Sequence, residues 1–280
     1  MNSKTEHLNK EILEQDYAEL GSIRKVAARH NLHHKNMSIL FKKLDVSFSP
    51  KLIRTKHENI FSEETESAFY LAGFIAADGN IHHSGTNYHL HIGLRKKDKE
   101  HLIKIQKLLG SNSNIREYVN DSIIDDKSVK STINAFTICS KHIYHDLINN
   151  FGITPNKSLT LKFPKHLINH SMINHFIRGY FDGDGSWTIR NPNKKNKQSK
   201  INIGFDILGT KNFVKNINII LHDRLDLPCN KLEKKKRIYR LRYSGNQLSS
   251  LIGDWMYQNA TVYLDRKYQR YLLAKSLLIQ

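Results

Sequence analysis

Two nine-residue segments carry the residue types best suited to chemistry: Leu71–Gly79, LAGFIAADG, and Ile177–Gly185, IRGYFDGDG. Each ends in Asp-Gly, which sets Asp78 and Asp184 at equivalent points. Read as helices, the segments place Gly73 and Ala77 on one face, and Gly179 and Gly183 at the matching positions. Small residues four apart let two helix backbones approach closely. The two helices are therefore expected to pack on each other about a pseudo-twofold axis. Gly79 and Gly185 suit helix C-caps. The acids do not suit their places, because a carboxylate there meets the negative end of the helix dipole. Pairing the helices would also bring the two like charges together. A local conflict of this kind marks function. Divalent metal resolves it, since Mg²⁺ takes oxygen ligands and needs only one or two carboxylates plus substrate phosphate oxygens. The expected site is Asp78 and Asp184, with Gly79 and Gly185 beside them, holding Mg²⁺ or Mn²⁺. Such a centre can activate water and stabilise the leaving oxygen of a phosphodiester.

The elements that position these acids form an imperfect repeat. Each nonapeptide leads into an alternating strand, His89–Arg95 and Lys200–Asp206, and then a helical pattern near Leu102–Leu109 and Phe213–Ile220. A second alternating stretch follows in each half, Ser131–Ile138 and Arg237–Tyr243, and then a further helix. Each half reads αββαββα, an α+β order built on hairpins rather than βαβ units. The boundaries expected are a helical domain over 1–45, a basic linker over 46–62, and repeats over 63–170 and 171–280.

The 280 residues hold 44 Lys+Arg against 26 Asp+Glu, a formal charge of +18. That exceeds the magnitude of about 2–8 that solubility requires of a small domain, and it points to a polyanion partner. Cys139 and Cys229 are too few and too far apart for a zinc knuckle or a disulfide framework. No apolar stretch approaches the roughly 20 residues of a membrane span. A soluble, cytoplasmic protein associated with a bacterial or phage nucleoid is expected, with an organelle as the other setting.

Ser22–Leu44 fits a helix-turn-helix. Asn31 sits where the turn needs a left-handed residue, Leu32 plugs it, and Met37, Leu40, Phe41 and Leu44 give the apolar stripe of the second helix. Its other face offers His33, His34, Lys35 and Asn36 to DNA.

Taken together, the duplicated nonapeptides and matching strand order resemble the LAGLIDADG homing endonucleases in their single-chain, two-motif form, over about residues 60–280. The resemblance implies two repeats forming a DNA-binding β-saddle, and a monomer that cuts both strands of a long duplex target across the minor groove. It implies that Asp78 and Asp184 bind the catalytic metals, and that Lys157 and Lys267 point toward the cleavage site. Lys96 is the further polar candidate of the first half. Its second-half equivalent reads as Ile207, Leu208 or Gly209, which implies uneven cutting of the two strands. Arg178 replaces the small Ala72 of the other half, so asymmetry in helix packing is expected.

Strand alternation assigns DNA contacts. Asn87, His89, His91 and Arg95 share one face in the first half, and Lys200, Asn202 and Asp206 in the second. Gly93 and Gly204 fall at matching points of the repeat. The runs containing Arg190, Lys194 and Lys195, and Lys235, Arg237, Arg240 and Arg242, suit phosphates. The first-half counterpart carries Glu117, Asp121, Asp125 and Asp126, so the second half is expected to hold the backbone more tightly. His82, His83, His89 and His91 lack the partners of a zinc site and read as surface or DNA-facing residues. Two other functions share these features: an intron maturase of the same fold that binds intron RNA, and a DNA-binding transcriptional regulator. Retained Asp78 and Asp184 argue against the regulator.

Overall fold

The structure is a computed structural model that describes residues 5, 7–46, 55–124, 127–190 and 202–278, with the side chains of 122–124 and 127–129 left aside. Lys194, Lys195 and Lys200, expected on DNA, lie outside the described residues, as do Asp125 and Asp126. The chain divides into two compact units, one ending before Thr55 and one beginning there.

The first unit holds α1 (Lys10–Leu20), α2 (Ile23–Arg29) and α3 (His34–Lys43). Asn9 accepts from the Ile12 amide to cap α1, and Gly21 ends it in the left-handed region. Asn31 turns the chain between α2 and α3 at φ 52°. Leu13, Val26, Ala27, Met37 and Phe41 close a small core. Arg29 spans Asp16 at 2.6 Å and Glu19 at 2.7 Å, fixing α2 on α1.

The second unit runs α4 (Glu66–Asp78), β1 (Gly79–Ser84), β2 (Asn87–Arg95), α5 (Lys99–Leu108), β3 (Arg116–Ile124), β4 (Lys127–Cys139) and α6 (Lys141–Phe151). It then repeats that order as α7 (Ile173–Asp184), β5 (Gly185–Arg190), β6 (Asn202–Gly209), α8 (Lys211–Leu225), β7 (Glu233–Lys235), β8 (Ile238–Ser244) and α9 (Asn246–Tyr257), with α10 (Asp265–Ser276) added. Each half is αββαββα. The sheets have matching antiparallel orders, β1-β2-β4-β3 and β5-β6-β8-β7.

The helices start on predictable caps: Thr65 for α4, Ser140 for α6 and Thr210 for α8, each accepting from the amide three residues on. α4 is buried on every side from Ala68 to Ala76 and is apolar all round, as a helix at the centre of a fold must be. One core joins both repeats, from Phe74 and Ile92 in the first to Trp187, Phe205 and Leu241 in the second.

Two expectations change. The linker does not extend to residue 62: Ile60 and Phe61 are buried in the core of the second unit, and the His57 amide bonds Leu109 O at 2.8 Å. The hydrophobic effect draws this apolar pair inward despite its basic flank. Residues 47–54 lie outside the described residues. The repeat register also differs. Gly79 faces Ile92, whereas Gly185 faces Ile207, because the segment between β5 and β6 is longer than the one between β1 and β2. Gly93 therefore corresponds to Leu208, and Gly204 to His89, so the two glycines are not equivalent. By the same register Lys96 corresponds to Lys211, not to Ile207, Leu208 or Gly209.

Candidate active site

The site begins with the crossing of α4 and α7. A Cβ added to Gly73 would lie 1.9 Å from Phe176 O, and one added to Gly179 would lie 2.0 Å from Tyr70 O. The two contacts are reciprocal, and each backbone lies against the other where only glycine fits. Further along, a Cβ on Gly183 would meet Ala77 Cβ at 2.3 Å and the Asp78 carboxyl at 3.3 Å. The crossing thus delivers Asp78 and Asp184, the last residues of the two helices, side by side.

Gly79 and Gly185 do not cap their helices in the left-handed region. Their φ values are −80° and −100°, extended backbone that leads straight into β1 and β5. Glycine is needed there for another reason. A Cβ would fall 2.7 Å from Ile75 Cγ2 in the first case and 2.1 Å from Phe181 Cδ2 in the second.

Two buried lysines meet the negative helix ends. Lys157 donates to Gly79 O at 2.5 Å. Lys267 donates to the carbonyls of Phe181, Asp182 and Gly185 at 2.6, 2.7 and 2.6 Å, and lies 3.3 Å from Gly183 O. These carbonyls lie at the C-terminal ends of α4 and α7 or on the first residue beyond them; that of Phe181 also accepts the Gly185 amide, and each ammonium compensates the dipole end that the acids aggravate. Burial lowers the pKa of both lysines, with nearby acids opposing it, and Lys267 falls to about 8. The Gly79 and Gly185 carbonyls, expected beside the metal, thus accept from lysine.

The acids themselves are open to solvent along one side. Protein packed around them still makes desolvation the leading cause of their raised pKa. For Asp184 the charge of Asp78 comes next, and the result is about 6. Lys157 and Lys267 pull both acids the other way. Asp184 also has the Tyr180 hydroxyl within hydrogen-bonding reach. Among the described residues Asp78 makes no hydrogen bond or ion pair. Two crowded carboxylates of raised pKa, one of them unpartnered, suit an oxygen-loving divalent cation that completes its shell with water and phosphate. Among the described residues no group of three or more His, Cys, Asp or Glu is placed to hold a metal.

Several groups near the site carried weak sequence signals. Tyr180 lies four residues before Asp184 on α7, donates to Leu208 O at 3.0 Å, and has Phe74 as its counterpart in α4. Helical spacing from Asp184 would have found it. Arg266 grips Asp98 at 2.8 and 3.0 Å next to Asp78; its partner lies 168 residues away. Asp182 is buried, bonded by Tyr70 at 2.7 Å and the Leu264 amide at 2.8 Å. It fixes packing between the repeats. Arg178 is also buried, on Glu66 at 2.6 Å and on the Met256 and Val262 carbonyls at 2.8 and 3.1 Å. Lys96 is exposed, with its ammonium 3.4 Å from the Glu117 carboxylate.

The sheets extend from this centre. On β2, Asn87 and Arg95 are exposed and His89 and His91 half-buried, while Leu90, Ile92 and Leu94 point inward. On the second sheet a groove of about 670 Å³ is lined by Asp184, Thr188, Asp206, Lys235, Arg237 and Arg242, among others. Asp206 is not a free DNA contact. It is 6% exposed and accepts from Arg242 Nε at 2.6 Å and Nη2 at 2.8 Å. Arg240 is bound by Glu233, Nε to carboxylate at 2.9 Å. Arg190 and Asn202 are exposed at the strand ends, facing each other in register. In the N-terminal unit His33, Lys35 and Asn36 are exposed and His34 half-buried on α3. Both cysteines are free and exposed. Among the described residues no helix is long and apolar enough to cross a membrane.

Solved structures share this architecture. The homing endonuclease I-WcaI bound to its DNA recognition sequence aligns over 81% of this chain and 97% of its own, at a TM-score of 0.53 and 15% identity. The meganuclease I-SmaMI bound to uncleavable DNA with a TTCT central four aligns over 76% and 90%, at 0.51 and 15%. I-SmaMI bound to an uncleaved DNA target in the presence of calcium ions aligns over 78% and 92%, at 0.51 and 16%. No family model matches the sequence, and no curated protein matches it. The paired α4–α7 crossing and the matching sheets give this chain the two-repeat fold of the LAGLIDADG homing endonucleases.

Proposed function

We propose that this chain is a monomeric, site-specific double-strand DNA endonuclease that hydrolyses phosphodiesters with divalent metal at Asp78 and Asp184. The observation that carries the reading is the pair of like carboxylates delivered together by the α4–α7 crossing inside a strongly basic chain. Desolvation raises both acids, and the charge of Asp78 raises Asp184 further, a cost that a divalent cation relieves. The DNA-bound endonucleases of the same fold favour duplex DNA as the partner.

Asp78 and Asp184 would hold the cation, which when bound lowers the pKa of water and supports a leaving oxygen. Lys157 and Lys267 keep the two helix ends in place and supply positive charge beside the scissile phosphate. The basic rim at Lys235 and Arg237 tracks the phosphate backbone, and α3 of the N-terminal unit adds affinity through His33, Lys35 and Asn36.

A cleavage selection on a randomised duplex library with Mg²⁺ tests this. The wild type is expected to enrich one long target and cut both strands. Absence of cutting, or cutting undiminished in Asp78→Asn and Asp184→Asn, contradicts the proposal.

A further inference from the structure

The second sheet carries an ionic row whose counterpart in the first repeat holds no acid–base pair. Ser186, Asp206 and Arg242 sit side by side across β5, β6 and β8. This row adjoins the one that starts at Gly185, the residue after Asp184. The counterpart row in the first repeat is Asn80, His91 and Thr137. There His91 Nδ1 and the Thr137 hydroxyl are 3.0 Å apart, and burial lowers the pKa of His91, which keeps it neutral. Two equivalent places about the pseudo-twofold axis thus present different chemistry.

Arg242 is held in one plane. Its Nε and Nη2 both bond Asp206, and Thr188 donates its hydroxyl to the same carboxylate. Among the described residues Nη1 has no protein partner. A guanidinium gripped along its Nε edge keeps its other edge, Nη1 with the second Nη2 hydrogen, as a two-donor fork. Arg242 lines the groove that also contains Asp184, so the fork stands at the groove wall near the acids.

Its charge is largely answered by Asp206. A phosphate gains most from an unpaired cation and the counterions it releases. A base edge needs fixed geometry, and an arginine fork matches guanine O6 and N7. Fixing the fork before binding also removes an ordering cost. The free cations of the same groove, Lys236 and Arg237 at the β7–β8 turn, are exposed at the rim and suit the backbone instead.

We infer that Arg242, aimed by Asp206, reads one guanine in the major groove on the second repeat's side of the target, close to the cut, and that the first repeat reads its equivalent base pair through His91 and Thr137. Asp206 is a positioning residue that touches no DNA. The target is therefore asymmetric at these two places. This rests on the endonuclease reading above for the identity of the ligand.

The test is a binding-site selection with metal-free full-length protein on randomised duplex, followed by affinity against salt for each base at the selected position. The wild type is expected to fix one guanine. Arg242→Gln and Arg242→Lys should each lose about 10–100-fold of discrimination at that one position. Arg242→Lys, which keeps the charge, should leave the salt slope unchanged. Asp206→Asn should lose part of the same discrimination and none elsewhere, with a cooperative unfolding transition showing that it folds. Uniform weakening over all sequences, with a salt slope shallower by about one phosphate contact, overturns the assignment and makes Arg242 a backbone clamp. A wild type that selects a sequence with no guanine dependent on Arg242 overturns it too. A wild type that selects no sequence at all overturns the DNA reading itself.

Discussion

Gly73 and Gly179 hold α4 and α7 backbone to backbone, each with room for no Cβ because a carbonyl of the partner helix occupies the place, Phe176 O in one case and Tyr70 O in the other. Everything chemical about the site depends on this contact, because it sets the separation of the two helix ends. Alanine at either position must push the helices apart. Overpacking against backbone cannot relax by a rotamer change, so each change should cost about 3 kcal/mol or more. That lowers the melting temperature by roughly 6–12 °C for a chain of this size. Thermal denaturation of Gly73→Ala and Gly179→Ala checks it, and an unchanged midpoint would refute the close crossing.

The acids should make the metal-free protein less stable as pH rises. Asp184 titrates near 6 in the folded chain against 3.8 unfolded, so the folded state binds this proton more tightly. The stabilisation is complete below about 3.8 and is lost as pH climbs through about 6. Asp182 follows the same course, at about 6. At pH 7.5 without metal, Asp184→Asn should therefore melt higher than the wild type. After discounting for the solvent that reaches this carboxylate, the gain is roughly 1 kcal/mol, or about 2–4 °C. Adding Mg²⁺ should stabilise the wild type by mass action and leave the variant unmoved. Differential scanning with and without metal measures both.

Metal affinity should itself depend on pH. Ligand carboxylates must be deprotonated to bind a cation, and the raised pKa of Asp78 and Asp184 places that loss of protons above the usual carboxylate range. Calorimetric titration with Mg²⁺ should show binding weak at pH 5 and strengthening through pH 6 to 7. Affinity flat over that range would contradict the shared site.

Lys267 and Lys157 differ in what they support. Lys267→Met removes the ammonium from the carbonyls of Asp182 and Gly185 and leaves that of Phe181 with the Gly185 amide alone, whereas Lys157→Met removes it from that of Gly79. Each buried carbonyl left unpaired costs about 1–3 kcal/mol. The change at Lys267 should therefore lower the melting temperature more than the change at Lys157. Equal losses would show that the two lysines do the same work.

Glu66 and Arg178 join the start of α4 to the middle of α7. Arg178 is wholly buried, so Glu66→Ala leaves a charge with backbone carbonyls and His175 for company. Breaking a buried pair of this kind costs about 3–5 kcal/mol. Denaturant unfolding should show the midpoint falling accordingly.

The parts legible in the sequence were those fixed by local pattern. The duplicated Asp-Gly nonapeptides mark α4 and α7, and period-two alternation marks β2 with Leu90, Ile92 and Leu94 inward. The αββαββα order follows from the same patterns. Long-range relationships were not legible. The longer segment before β6 shifts the second-half register, which no alternation pattern reveals, so Gly93 and Gly204 looked equivalent. Arg178 sits in a helix position that its counterpart Ala72 fills with a methyl group; its counter-charge, Glu66, lies 112 residues away. Lys157 and Lys267 are marked only by the family resemblance, and their carbonyl partners depend on tertiary contact. Asp206 reads from alternation as one more DNA-facing residue, and its hold on Arg242 appears only when β6 and β8 pair.

Asp78 and Asp184 are expected to act together in the hydrolysis of both strands of a DNA target. The most direct test is cleavage of a supercoiled plasmid carrying the selected target, in Mg²⁺, by wild type, Asp78→Asn and Asp184→Asn proteins that bind that target equally well. The account predicts linear product from the wild type and none from either variant, with loss of linearisation on adding a chelator. Linear product at the wild-type rate from either variant would contradict it.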